Sequence, residues 1–149
     1  MTKISFHIRP GSILEAVALS RQIPEFDNPH DEQIYQERLS GKTHLIIIAE
    51  SQELPVGFKV GYDKFGDSSF YTWMGGVLPE YRSQGIAKSL ASYQEKFAKE
   101  EGFDSVILKT RNRHKNMLRF AISSGFEIID VDERIPTAES RILLKKILS

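Results

Sequence analysis

The residues best suited to chemistry lie in one stretch, Val77-Leu78-Pro79-Glu80-Tyr81-Arg82-Ser83-Gln84-Gly85-Ile86-Ala87-Lys88. An aromatic-rich, strand-like run from Ser69 to Val77, with Gly75-Gly76 near its end, leads into it. A helical stripe of Ile86, Leu90, Tyr93 and Phe97 leads out. The first amides of a helix have no partner within it, and the helix dipole concentrates partial positive charge there. A diphosphate can rest on such an end, held by N–H groups. Gly85 removes a side chain where phosphate oxygens would approach, Ala87 is small for the same reason, and Arg82 and Lys88 add charge. By spacing alone, Arg-x-x-Gly-x-Ala also describes an ordinary strand-to-helix turn that contains a glycine.

Other reactive side chains form weaker patterns. Lys109, Arg111, Arg113, His114, Lys115 and Arg119 make a basic cluster, read either as solvated surface or as attraction for phosphates at a cleft mouth. His7, His30, His44 and His114 lack metal-ligand spacing and read as structural or exposed, so no metal site is expected. Ser83, Ser123 and Ser124 have no His-Asp pattern that would make a nucleophile.

The elements that must position the turn follow from periodicity. Ile4, Phe6 and Ile8 alternate with polar residues and predict a first strand, ended by Pro10-Gly11. Ser12 and Glu15 form a capping box before a helix with Ile13, Leu14, Val17 and Ala18 on one face. A loop from Pro24 to Pro29 carries Glu25, Phe26 and Asp27. Asp31 caps a second short helix, and Gly41 closes it. Three strands joined by short polar turns follow: His44 to Glu50, apolar on both faces; Val56 to Tyr62, alternating with Gly57, Lys59 and Gly61; and Ser69 to Val77. After the Ile86 helix come a buried strand from Ser105 to Thr110, a helix marked by Met117, Leu118, Ala121 and Ile122, and strands from Phe126 to Val131 and from Arg141 to Ile147. The order is β-α-α-β-β-β-α-β-α-β-β. It predicts one mixed α/β domain over residues 1–149, without repeats or linkers.

Composition narrows the function. The 149 residues carry 20 basic and 20 acidic side chains, so the formal charge is zero, and nucleic acid is a disfavoured partner. There are no cysteines, which removes disulfides and thiolate nucleophiles. Met1 to Pro10 has no signal-peptide core, and no apolar run approaches a membrane span, so the expected location is the cytoplasm.

The run Val77-x-Pro79-x-Tyr81-Arg82-x-Gln84-Gly85-Ile86-Ala87-x-x-Leu90 resembles the acetyl-coenzyme A motif of the GNAT acetyltransferases, Gln/Arg-x-x-Gly-x-Gly/Ala. Asn112, Asn116 and Gly125-Phe126 resemble the family segment in which an Asn precedes a helix closed by Gly-Phe. The resemblance implies the GNAT sheet with helices on both faces and direct acetyl transfer from acetyl-CoA to a primary amine. It also implies diphosphate binding by backbone amides from Arg82 through Ser83, Gln84, Gly85, Ile86 and Ala87 to Lys88, with Asn112 and Asn116 beside the cofactor. The backbone of Gly75, Gly76 and Val77 would pair with the pantetheine, and the Gly75-Gly76 pair would form the bulge of that strand. The family draws its acceptor pocket from the loop between the first two helices and from the strand before the motif, here Glu25, Phe26, Asp27, His30, Tyr71 and Trp73. Glu25 is then the expected base or amine anchor, because a thioester is attacked by a neutral amine. The usual Tyr, four residues before the Gly of Gly-Phe, is Ala121 here, so the usual acid is absent. A thiolate of pKa about 8.5 needs only modest help from water or backbone donors, and Tyr71 is the first side chain to test for an acid elsewhere. A non-catalytic CoA- or phosphate-binding module is the alternative reading. Exposed aromatic strands and the frequency of pairing in the family raise the prospect of a homodimer.

Overall fold

The structure is a computed structural model and describes residues 4–149. One seven-stranded sheet runs through it in the order β1-β2-β3-β4-β5-β7-β6. The strands are β1 (His7–Pro10), β2 (His44–Ser51), β3 (Leu54–Tyr62), β4 (Ser69–Val77), β5 (Ser105–Arg111), β6 (Glu127–Asp132) and β7 (Arg141–Ile147). Neighbours pair antiparallel except β4 and β5, which are parallel. The four α-helices are α1 (Ile13–Ser20), α2 (Glu32–Leu39), α3 (Ile86–Glu100) and α4 (Lys115–Ser123). The alternation begun at Ile4 becomes a strand only from His7, and residues 4–6 precede it outside the sheet.

Helices cover both faces, and the strands show why. In β2, Leu45, Ile47 and Ala49 enter a core shared with Ile86, Leu90 and Ala98 of α3 and Ala121 of α4. Ile46 and Ile48 enter a second core, with Ala16, Val17 and Leu19 of α1 and Tyr35 and Leu39 of α2. A strand buried on both faces reads as a continuous apolar run. The predicted caps are present: Ser12 and Glu15 make the reciprocal capping box, and Asp31 Oδ1 accepts from the Ile34 amide at 3.2 Å. Among the described residues, no helix is long and apolar enough to cross a membrane.

Two expectations need correction. The bulge between β3 and β4 is at Trp73, because Val60 opposes Met74 while Gly61 opposes Thr72. Gly75 and Gly76 stay in register and serve close packing instead. A Cβ on Gly76 would lie 2.8 Å from Ile23 Cδ1, so a larger residue there would push the Ile23 side chain of the segment after α1 off β4. The aromatic residues of β4 are also not an exposed face. Phe70 and Tyr71 are buried and Trp73 is half-buried, which removes them as grounds for a dimer.

Candidate active site

β4 and β5 pair only from Ser69 opposite Ser105 to Thr72 opposite Leu108. Beyond that point β4 stays with β3 as far as Val77 opposite Gly57, and β5 stays with β7 as far as Arg111 opposite Arg141. The sheet therefore splits into a V. Its closed end lies at Thr72 and Leu108, and its mouth lies at the start of α3. Five residues of extended chain separate Thr72 from Val77, roughly 17 Å. A cleft of about 1200 Å³ follows the split, with Trp73 to Val77 on one wall and Leu108 to Arg111 on the other.

At the mouth, Ser83 and Gly85 both adopt left-handed backbone, with φ of 63° and 85°. Such turns aim successive N–H groups into one concavity. Among the described residues, no acceptor pairs with the amides of Ser83, Gln84, Gly85, Ile86, Ala87 or Lys88. The first amide of α3 to return to the backbone is that of Ser89, bonded to the Gly85 carbonyl at 3.1 Å. Six unpaired donors in a row, at the positive end of a 15-residue helix, form an anion seat.

The predicted residues are distributed unevenly around this cleft. Gly76, Val77, Arg82, Ser83, Gly85, Ile86, Ala87, Lys88 and Asn116 line it. The Gln84 side chain turns away and accepts from the Ile4 amide at 3.3 Å. Asn112 also stands off the cleft, where its Oδ1 accepts from Lys115 Nζ at 2.8 Å. Tyr71 lies outside as well, packed edge-on against Tyr62 with Lys64 over its ring at 4.5 Å, and burial raises its phenol. A buried, raised phenol away from the cleft has no route to a leaving group inside it.

Arg82 and Glu25 form a strut across the mouth. Arg82 Nε donates to the Val77 carbonyl at 3.0 Å, and its two other nitrogens donate to the Glu25 carboxylate at 2.9 and 2.8 Å. The guanidinium bond is the main reason Glu25 is lowered from the usual carboxylate range, while partial burial works in the opposite direction. At neutral pH Glu25 is thus a paired carboxylate at the mouth, a full strand segment away from the closed end. Asp27 spans the same gap through Arg113 at 2.9 Å. His114 is in the cleft, although its sequence context reads as structural or exposed. Burial, then Arg113 and Arg111, lower its pKa, so it is neutral at pH 7. It too belongs to the mouth.

Glu25→Gln is expected to cost less than about 1 kcal/mol at pH 7, because both partners are about half exposed and water screens the pair. A carboxylate lowered by folding stabilises above its unfolded pKa and loses that contribution as pH falls through its folded value. The difference between wild type and variant in urea unfolding should therefore shrink below pH 4. A gap that persists in acid would assign the effect to packing.

The residue that sequence reading passed over is Lys59. In the alternation of β3 it counts among the polar, outward positions, but that face lies under α3. The flanking glycines carry the signal. A Cβ on Gly57 would lie 3.3 Å from Ile86 Cγ2, and one on Gly61 would lie 2.6 Å from Gln94 Nε2. Glycines on both sides of a lysine mark a face under a helix rather than under water. Lys59 lines the cleft at its closed end with Thr72, Leu108, Met117 and Phe120.

A family model described as acetyltransferase (GNAT) family matches residues 13–126 of the 149. The chain belongs to the GNAT acetyltransferase family. No curated protein matches the sequence. Solved structures share the GNAT fold at low identity. Ard1 from Thermoplasma volcanium has a TM-score of 0.82 at 16% identity, covering 98% of this chain and 99% of that one. The ribosomal-protein-S18-alanine N-acetyltransferase of Escherichia coli gives 0.81 at 13%, covering 97% and 95%. A GNAT family acetyltransferase from Elizabethkingia anophelis with acetyl-CoA bound gives 0.75 at 16%, covering 96% and 98%. In this GNAT protein the turn of Arg82 to Ala87, which resembles the family motif, coincides with the run of unpaired amides, and the split between β4 and β5 leads straight from it.

Proposed function

We propose that the protein transfers an acetyl group from acetyl-CoA directly to a primary amine within this cleft. The observation that carries the reading is the continuity between two features. The unpaired amides of Ser83 to Lys88 fit a diphosphate, and the cleft beside them runs inward along the unpaired edge of β4, which fits an extended amide-bearing arm. The acyl end then reaches the closed end at Thr72 and Leu108. Lys88, exposed on the first turn of α3, adds charge at the diphosphate. Arg82 works differently, since its guanidinium is committed to Val77 and Glu25. It braces the turn and ties the α1–α2 loop over the mouth. Glu25 and His114 stand at the mouth too, so the acceptor amine loses its proton to water or arrives neutral.

CoA at about 100 times its dissociation constant should stabilise the fold by about 2.7 kcal/mol, which for a domain of this size is a rise in melting temperature of roughly 5–10 °C. A thermal titration with CoA reads this directly, and a melting curve unmoved by millimolar CoA would sink the proposal. A non-catalytic CoA-binding module would pass that test. Thiol release from acetyl-CoA across a panel of primary amines separates it from an enzyme.

A further inference from the structure

We infer that Lys59 is the group that protonates the departing CoA sulfur, an inference that rests on the acetyl-transfer reading above. Three observations place it there. The residue stands on β3 opposite Gly75, and a Cβ on Gly75 would lie 3.5 Å from Lys59 Cγ, so the stem runs along the bare segment of β4. The side chain lines the closed end of the cleft. It also lines a cavity of about 10 Å³ that shares Thr72, Leu108, Met117 and Phe120 with that end and is completed by Ala121. Among the described residues, its amine makes no hydrogen bond or ion pair. Lys59 is half-buried, and an amine largely withdrawn from water without a direct hydrogen bond or ion pair is costly.

The surroundings suit proton donation to a thiolate. From α3 the only charged group facing Lys59 is Glu95, whose carboxylate already takes Lys146 Nζ of β7 at 2.8 Å. From β4 and β5 come the uncharged Thr72, Val106 and Leu108, and from α4 the apolar Met117, Phe120 and Ala121. Burial pushes the amine down to about 8, with Glu95 opposing the shift. That value lies close to the roughly 8.5 of a free thiol, where proton transfer between the two is nearly balanced. In the step, the acceptor nitrogen forms its bond to the carbonyl carbon, and the C–S bond breaks with its electron pair going to sulfur. One Lys59 N–H proton passes to that sulfur, leaving a neutral amine. The acceptor nitrogen releases its own proton to water, and water reprotonates Lys59 before the next turnover.

The test begins with bound CoA alone, which needs no acceptor. An ammonium beside the sulfur favours the thiolate, so the ultraviolet thiolate band of bound CoA should appear about one to two pH units lower in wild type than in Lys59→Met. Lys59→Arg should keep that shift. With an amine from the panel, Lys59→Met should lower turnover about 100-fold or more, and Lys59→Arg should also be slow, since a guanidinium cannot give up its proton. The wild-type rate should fall as pH rises through about 8, where the donor loses its proton, and that limb should vanish in Lys59→Met. Identical thiol titrations in wild type and Lys59→Met, both binding CoA, would overturn the assignment while leaving the acetyl-transfer reading standing. Wild-type turnover in Lys59→Arg would overturn the proton transfer in favour of a fixed charge. Failure of wild type to bind CoA would remove the reading beneath both.

Discussion

Gly85→Glu is expected to weaken CoA binding by about 100-fold or more in a protein that still folds. Nothing lies within 4 Å of a Cβ built on Gly85, so the new side chain starts in open space at the cleft mouth. The backbone penalty is modest: φ is 85°, and a residue with a Cβ in left-handed backbone loses about 1–2 kcal/mol. The loss for the ligand is larger. A carboxylate about 4 Å from a phosphate charge costs on the order of 4 kcal/mol in a partly screened site, close to a thousandfold in affinity. Gly85→Ala separates the two effects, since it carries the backbone strain without the charge and should lose far less affinity. Calorimetric titration with CoA, with circular dichroism of each variant, makes the comparison. If the folded Glu variant binds CoA like wild type, the diphosphate sits elsewhere.

The second large effect concerns the layer beneath the cleft. Phe58→Ala should destabilise the protein by about 3–5 kcal/mol, the range for removing a fully buried aromatic ring. Phe58 is wholly buried in the core shared by β2, β3, α1 and α2. Its ring lies 6.3 Å from that of Phe26, a residue of the loop that carries Glu25. The truncation therefore leaves a cavity and also takes away the floor on which that loop rests. Melting should drop by roughly 10 °C or more. Phe58→Leu, which keeps most of the volume, should cost much less. A loss below 1 kcal/mol for the alanine variant would mean that α1 and the loop collapse into the space.

The seat proposed for the diphosphate is a local object, which is why its turn was legible from residues 77–88. A strand, a turn with one glycine and a long amphipathic helix follow from short-range pattern, and the unpaired amides follow from the geometry of any helix start. The layers were legible for a similar reason. A strand apolar on both sides, such as His44–Ser51, must lie between two helical layers. Glu25, Arg82 and Asp27 were visible as charges, but their pairings were not. The strut joins residues 57 apart in the chain, and only the fold determines that the Arg82 guanidinium faces Glu25 instead of a phosphate.

Lys59 and Tyr71 show the same division more sharply. Alternation along a strand assigns each residue to one of two faces, but it does not say whether a face meets water or a helix. Lys59 fell on the polar-looking side, and α3 then covered it. Tyr71 fell on the side of Trp73, and the parting of β4 from β5 just beyond Thr72 kept it out of the cleft. Residue order thus determined which elements form and where a helix start could hold an anion. Which side chains reach the closed end was decided by the pairing of strands distant in sequence, because burial there depends on neighbours that no local pattern contains.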